Sequence, residues 1–182
     1  MSMYSWYENA STATSVGGSD TLATYASGAG TPKITTWAVF AAGGVVDTTA
    51  TTLTVTQALH GNRTVTVSSA APVAITLPQA TGTGSVFRFQ MQVAATATSS
   101  TIKVANATDV MQGVSWCLTT SSANVIGYGT SSTSDTISLN GTTTGGVVGD
   151  IIEITDVKTG LFSVKMFSSP TGSTATPFSA TV

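Results

Sequence analysis

From about Thr51 onward, apolar and polar side chains alternate with a period of two in one segment after another. The clearest case is SVFRFQMQV (85–93), where Phe87, Phe89 and Met91 share one face and Arg88 belongs to the other. β-Branched and aromatic residues in this alternation are typical of half-buried strands. The same pattern predicts strands in the segments 51–59, 63–69, 73–78, 101–105, 114–120, 135–140, 150–157 and 161–167. The chain is therefore predicted to be all-β.

Short turn sequences separate these segments. Asn140-Gly141 and Lys158-Thr159-Gly160 supply residues that tolerate positive φ, and the second of these predicts a hairpin between the last two long strands. Helical periodicity is nearly absent, and only residues 107–114 favour a short helical turn. Many short strands spaced by turns are typical of an antiparallel β-sandwich or barrel of jelly-roll type, and alternation alone does not distinguish the two.

Residues 1–50 have a different character from the β-domain expected at residues 51–182. Their aromatic residues are separated by stretches rich in Gly, Ser, Thr and Ala. Aromatic anchors on such a chain favour an extended N-terminal arm that becomes ordered on a partner, with an extra strand packed on the same domain as the alternative. The candidate anchors are Tyr4, Trp6, Tyr7 and Trp37.

The composition favours a structural protein over an enzyme. Only 8% of the 182 residues are charged, against about 25% in an ordinary soluble domain. The net charge of −2 provides no basic face, which argues against nucleic-acid binding. The start of the chain lacks the pattern of a signal peptide, and no apolar run reaches the ~18 residues of a membrane span. We expect a protein folded in reducing cytoplasm, whose surface is either solvated by Ser and Thr hydroxyls or covered in large part by other subunits.

The acidic residues of the β-domain give little support for catalysis. Glu153 lies in the segment 150–157 between Asp150 and Asp156, but both aspartates are at the ends of a predicted strand, where capping turns is their ordinary role. A Ca²⁺ site would need Asp135, Asn140 and Asp150 to converge. We expect neither an active site nor a metal site.

Other chemically active residues are isolated. His60 is the only histidine and Cys117 the only cysteine, so a zinc site has no ligand set, and Cys117 is expected to be a small buried side chain. The glycine-rich segment 142–150 lacks the Lys-Ser/Thr of a phosphate-binding loop. No catalytic residue and no cofactor are predicted.

The stretch from about Thr51 to Val182 resembles a family of head decoration (cement) proteins of tailed bacteriophages. The resemblance is carried by phrases that occur in order: LTVTQALHGNRTVTVSS (53–69), ITLPQATGTGSVFRFQM (75–91), IKVANATDVMQG (102–113), DTISLNGTTTGGVVGDIIEITDV (135–157), LFSVKMF (161–167) and TGSTATPFSATV (171–182). These phrases consist of strands and turns and contain no active-site motif.

The resemblance implies a virion protein, made in the host bacterial cytoplasm, that binds the outer surface of the phage head and stabilises it. Its partners would be the major capsid protein and further copies of itself, commonly as a homotrimer at threefold positions. Under this hypothesis Tyr4, Trp6, Tyr7 and Trp37 would contact the capsid. The apolar faces around Phe87, Phe89, Ile151 and Ile154 would fill either the core or a trimer interface.

The alternative is a glycan-binding module of a head or tail fibre that recognises a host receptor. Trp37 and Trp116 could stack on sugars, with Thr and Asn side chains binding the sugar rims. The apolar residues that alternate around Trp116 predict instead that this side chain is buried.

Overall fold

A computed structural model of the chain describes residues 21–24, 33–36, 44–119 and 124–182. The chain divides into two units, Met1–Gly43 and Gly44–Val182, and we call the second the β-domain. In the first unit, strands β1 (Thr21–Thr24) and β2 (Lys33–Thr36) pair antiparallel. The expected arm otherwise lies outside the described residues.

The regular secondary structure of the β-domain is almost all strand. They are β3 (Val46–Thr48), β4 (Thr52–Thr54), β5 (Arg63–Val67), β6 (Ala74–Thr76), β7 (Val86–Met91), β8 (Ser100–Lys103), β9 (Val110–Leu118), β10 (Val125–Gly129), β11 (Thr136–Leu139), β12 (Ile151–Lys158), β13 (Leu161–Ser168) and β14 (Phe178–Ser179). A seven-stranded sheet has the order β10-β9-β13-β12-β7-β5-β3, and a five-stranded sheet has the order β14-β11-β8-β6-β4. The two sheets pack together as a sandwich.

From β3 to β8 the chain passes back and forth between the two sheets. Strands β3, β5 and β7 are parallel neighbours in the larger sheet, and β4, β6 and β8 are parallel neighbours in the smaller one. The later strands pair mostly antiparallel, except that β13 is parallel to β9. Both sheets are therefore mixed. The predicted all-β sandwich is confirmed, but its sheets are not purely antiparallel, because successive strands of the first half belong to opposite sheets.

The core lies between the sheets and is built from the inward face of each alternating strand. On the central strands β7 and β12, Phe87 pairs with Ile154 and Phe89 pairs with Ile152, and all four side chains are fully buried. The predicted face of β7 is thus correct. Side chains with the opposite parity point to the outer face of the seven-stranded sheet, which carries the site described below.

One local prediction is wrong. Residues Gln57–His60 form the short helix α1 instead of continuing a strand, since the Thr56 side chain accepts a hydrogen bond from the Leu59 N–H and caps the turn. The segment 107–114, which could hold a short turn, has a turn at residues 107 and 108 and then continues into strand β9. The predicted hairpin at Lys158-Thr159-Gly160 is present, and Gly160 has a φ of 78° there.

Strand β3 precedes the expected start of the β-domain at residue 51. It pairs with β5, so the β-domain begins at Gly44. Strands β10 and β14 also lie outside the predicted segments. All three are sheet edges. Strands β3 and β14 are too short for an alternating pattern to be recognised, and the sequence of β10, VIGYG, lacks the alternation of apolar and polar residues.

Candidate interaction surface

A cluster of apolar side chains covers one corner of the outer face of the seven-stranded sheet. In the strand register, Trp116 of β9 lies opposite Phe167 of β13, and Phe167 lies opposite Ile151 of β12. Leu118 of β9 lies opposite Val125 of β10 in the next row. We call these five residues the apolar patch. Because strands in a sheet are about 4.8 Å apart, the register alone makes them neighbours.

The two aromatic rings of the apolar patch stack on each other and remain open to solvent. The ring centroids of Trp116 and Phe167 are 5.0 Å apart with an interplanar angle of 15°. Trp116 is 38% exposed and Phe167 is 55% exposed. On the far side of Trp116 the register partner is Gly127, which has no side chain to cover the indole. The stacked pair is therefore a ready contact surface.

A groove of about 320 Å³ runs along the apolar patch. Besides the patch residues, it is lined by Gly149, Asp150, Ser168 and Ser169. Asp150 is the charged group among them, but it is almost fully buried and its carboxylate accepts hydrogen bonds from the backbone N–H groups of Gly146, Val147 and Ser169. Burial raises the pKa of Asp150 above its ordinary value although these N–H groups oppose the shift. The groove thus offers apolar contact and little free polar chemistry.

A row of charged residues borders the apolar patch. The Arg88 guanidinium donates to the Glu153 carboxylate at 2.7 Å, and the Lys165 ammonium lies 3.6 Å from the same carboxylate. The hydrogen bond from Arg88 is the main reason that the pKa of Glu153 is lowered. An apolar centre with charged residues at its rim is the usual arrangement of a protein–protein interface.

Two further buried carboxylates fasten loops, and one of them, Asp156, lies within strand β12 and not at the strand end where it was predicted. Asp156 accepts hydrogen bonds from the backbone N–H groups of Thr81, Gly82 and Thr83 at 2.7–3.0 Å. Asp135 accepts from the N–H of Thr181 at 2.8 Å, close to the end of the chain. These hydrogen bonds give both carboxylates a structural role in holding their loops.

The possible Ca²⁺ ligands serve separate loops. The Asn140 side-chain oxygen accepts from the N–H groups of residues 142–144, whereas the carboxylates of Asp135 and Asp150 bind the chain elsewhere. In the described part of the chain, no group of three or more His, Cys, Asp or Glu side chains could hold a metal ion.

We expect the Asp156 carboxylate to make the free energy of unfolding depend on pH in the acidic range. Burial disfavours its charge, but the N–H groups of Thr83 and Gly82 outweigh burial and hold its pKa below the ordinary 3.8. The stabilisation is therefore present above about pH 4 and is lost as pH falls through the folded-state pKa. Asp156→Asn should lower the free energy of unfolding by about 2 kcal/mol at neutral pH, because an amide cannot satisfy all these donors.

Urea unfolding at pH 7 and at about pH 2.5 measures this effect. The difference in free energy of unfolding between wild type and Asp156→Asn should be smaller at about pH 2.5 than at pH 7. Asp47→Asn is the matched control. The pKa of Asp47 is also lowered, mainly by the hydroxyls of Ser68 and Thr66, but this carboxylate is exposed on strand β3 and its replacement should matter less. A difference in free energy of unfolding between wild type and Asp156→Asn that is the same at both pH values would contradict the proposed role of Asp156.

The side chains of His60 and Cys117 are both buried and have hydrogen-bond partners. The Thr56 backbone N–H donates to His60 Nδ1 at 3.0 Å, and His60, the last residue of helix α1, is buried. Cys117 is fully buried, with its Sγ 3.2 Å from the Ser168 hydroxyl. The prediction that Cys117 is a small buried side chain is confirmed.

The sequence-predicted interaction residues divide into two groups. Tyr4, Trp6, Tyr7 and Trp37 lie outside the described residues. Trp116 was expected to be buried, and this prediction is wrong, because the buried face of β9 carries Met111, Ser115 and Cys117 and therefore turns Trp116 outward.

The four apolar residues that were expected to fill either the core or a trimer interface fall into two groups. Phe87, Phe89 and Ile154 are core residues, whereas Ile151 is 36% exposed in the apolar patch.

Sequence reasoning missed most of the apolar patch, although a signal for it was present. Phe167 has the same parity as Ser163 and Lys165, and Ile151 has the same parity as Glu153 and Thr155. An aromatic or aliphatic residue that alternates in phase with charged residues belongs to the outer face. Leu118 and Val125 gave no such signal, because the nearest strand residues of the same parity are apolar or glycine.

Comparison of the chain with protein-family models, with curated proteins and with solved structures finds no match. Among residues 44–119 and 124–182 and the two strands of the first unit, no helix is long and apolar enough to cross a membrane. Function must therefore be inferred from the chemistry of the chain and its apolar patch.

Proposed function

We propose that this chain is a structural virion protein that decorates the outer surface of an assembled phage head and stabilises it. The single observation that carries the proposal is the apolar patch, with Trp116 stacked on Phe167 in the open. Exposed apolar groups that form a continuous cluster mark interaction surfaces, whereas single exposed apolar residues are normal. The resemblance over residues 51–182 supplies the class of partner, a capsid lattice.

The scarcity of charge supports the same proposal. A protein with 8% charged residues and a mean hydropathy of +0.29 has few groups to keep its surface solvated on its own. On a head, the apolar patch would be covered by capsid protein, and the row of Arg88, Glu153 and Lys165 would form part of the solvated rim. The patch then has the composition of an interface centre, in which charged residues are depleted.

Stabilisation of the head would follow from differential binding. A protein that binds the mature, expanded lattice better than its precursor shifts the equilibrium toward the mature form by the difference in binding free energy. If the chain acts as a homotrimer at threefold positions, each bound copy raises the effective concentration of the other two, so weak contacts suffice. The major capsid protein is the proposed partner, and no catalytic residue is required.

Sedimentation with purified heads tests this function. The full chain should pellet with expanded heads and remain in the supernatant with precursor heads, and bound heads should resist heating or chelation better than bare ones. Equal binding to both lattice forms would contradict the proposed stabilising role, and binding to neither would contradict decoration itself.

Glycan recognition remains the second candidate, because Trp116 is exposed. A stacked aromatic platform can bind the apolar face of a sugar, although the groove beside it has few free polar groups for sugar hydroxyls. A glycan array distinguishes the two functions. Binding to a defined glycan that Trp116→Ala removes would favour this candidate, whereas head binding without glycan binding would favour decoration.

A further inference from the structure

Strand β10 is an edge of the seven-stranded sheet. Within the described residues, β9 is its only strand partner. Natural edge strands are blocked by charged residues, proline, bulges or short length, because free backbone groups pair with other chains. The sequence of β10, VIGYG (125–129), has no charge and no proline. The opposite edge of the same sheet, β3, is shorter and carries exposed Asp47.

The hydrogen bonds to β9 show which backbone groups of β10 face outward. The Thr119 N–H donates to the Asn124 carbonyl, and the Thr130 N–H donates to the Gly113 carbonyl. Antiparallel strands alternate between hydrogen-bonded and non-hydrogen-bonded pairs, so Ile126 and Tyr128 direct their backbone groups toward β9. The N–H and C=O groups of Val125, Gly127 and Gly129 therefore point away from the sheet.

We infer that β10 pairs antiparallel with β10 of a second copy of this chain about a two-fold axis through Gly127. In this register Gly127 lies opposite itself and Val125 lies opposite Gly129 of the other copy. Every outward N–H and C=O of the three residues then has a partner. A two-fold contact of this kind is self-complementary by construction.

Side chains on both faces fit this register. On the inner face, Ile126 would lie directly opposite Tyr128 of the second copy, and an aliphatic–aromatic cross-strand pair is favourable. Ile126 is 39% exposed in the single chain, so the pairing would cover it. On the outer face, Val125 would meet a glycine, which leaves room for it. No charge on β10 opposes the approach of its own copy.

The pairing is compatible with the proposed head binding and is separate from it. The two-fold axis of an antiparallel edge contact is perpendicular to the sheet, so the two apolar patches would lie side by side on one face. Both apolar patches would stay available to a common partner. Once one patch is bound, the linked second patch is held near the partner at a high effective concentration. The contact also differs from any threefold contact of a trimer, so the two can be tested independently.

Gly127→Lys tests the pairing. A Cβ at Gly127 meets no atom within 4 Å, so the variant should fold, but it would bring two ammonium groups together at the two-fold axis. In sedimentation of the full chain, wild type should form an assembly with an even number of copies, and Gly127→Lys should halve its mass. The dissociation constant should rise about tenfold or more. Gln90→Lys adds the same charge to the same outer face on central strand β7 and should leave the mass unchanged.

Amide hydrogen exchange gives a second readout. In wild type the N–H groups of Val125, Gly127 and Gly129 should be protected, and in Gly127→Lys those of Val125 and Gly129 should exchange about tenfold faster or more. The N–H groups of Ile126 and Tyr128, which face β9, should be protected in both. A wild-type chain that is monomeric, or whose mass Gly127→Lys leaves unchanged, would overturn the inference. A wild-type chain that assembles as expected but does not bind heads would count only against decoration.

Discussion

Gly113→Ala should be among the most damaging single substitutions in the β-domain. Gly113 lies in β9 opposite Val164 of β13, and a Cβ at this position would lie 1.8 Å from the Val164 carbonyl oxygen and 2.7 Å from its carbonyl carbon. Because both atoms belong to the backbone of a central strand, neither can move without breaking the β9–β13 pairing. We expect the free energy of unfolding to fall by about 3 kcal/mol, at the upper end of the cost of overpacking.

Urea unfolding followed by circular dichroism measures this loss, and Gly127→Ala is the matched control. Gly127 lies on the neighbouring strand, has no positive φ and has open space where its Cβ would be. Its replacement by alanine should change stability by about 0.5 kcal/mol or less. A Gly113→Ala protein as stable as the control would show that β9 and β13 are not in the close register described above.

Replacing both aromatic residues of the apolar patch should abolish head binding without unfolding the protein. In the double variant Trp116→Asp, Phe167→Asp, the stacked pair is replaced by two carboxylates. Aromatic residues at the centre of an interface commonly contribute about 2 kcal/mol or more each. Binding to expanded heads should therefore weaken about a hundredfold or more, as measured by sedimentation over a range of chain concentrations.

Leu59→Asp provides the control for this variant. Leu59 is 60% exposed on helix α1, so its replacement adds a charge at an equally open apolar site outside the patch. It should leave head binding unchanged. If the double variant keeps its far-ultraviolet circular dichroism spectrum and still binds heads as wild type does, the patch is not the capsid contact, and the N-terminal aromatics Tyr4 and Trp6 become the residues to test.

The alternation of side chains predicted the interior of the β-domain well. Phe87, Phe89 and Ile154 alternate with polar residues of the opposite parity, and a strand buried on one face has only one way to place them. The turn at Gly160 was equally readable, because few residues other than glycine adopt its positive φ without strain. These features depend on local chemistry alone.

Other features depend on where a strand lies in the sandwich. Whether β5 pairs parallel or antiparallel with β7 is decided by the passage of the chain through the other sheet, and the alternation within each strand is the same in both cases. Trp116 was misassigned for a related reason. Its neighbours Val114 and Leu118 are apolar, so only the burial of Ser115 and Cys117 shows which face points inward.

The central claim, that this chain coats phage heads, is tested most directly by electron microscopy of particles in the producing lysate. An antibody against the chain, tagged with gold, should label intact heads evenly over their outer surface. Its control is antibody incubated first with the purified chain, which should label nothing. Gold confined to tails or fibre tips, or absent from particles altogether, would contradict the proposed function.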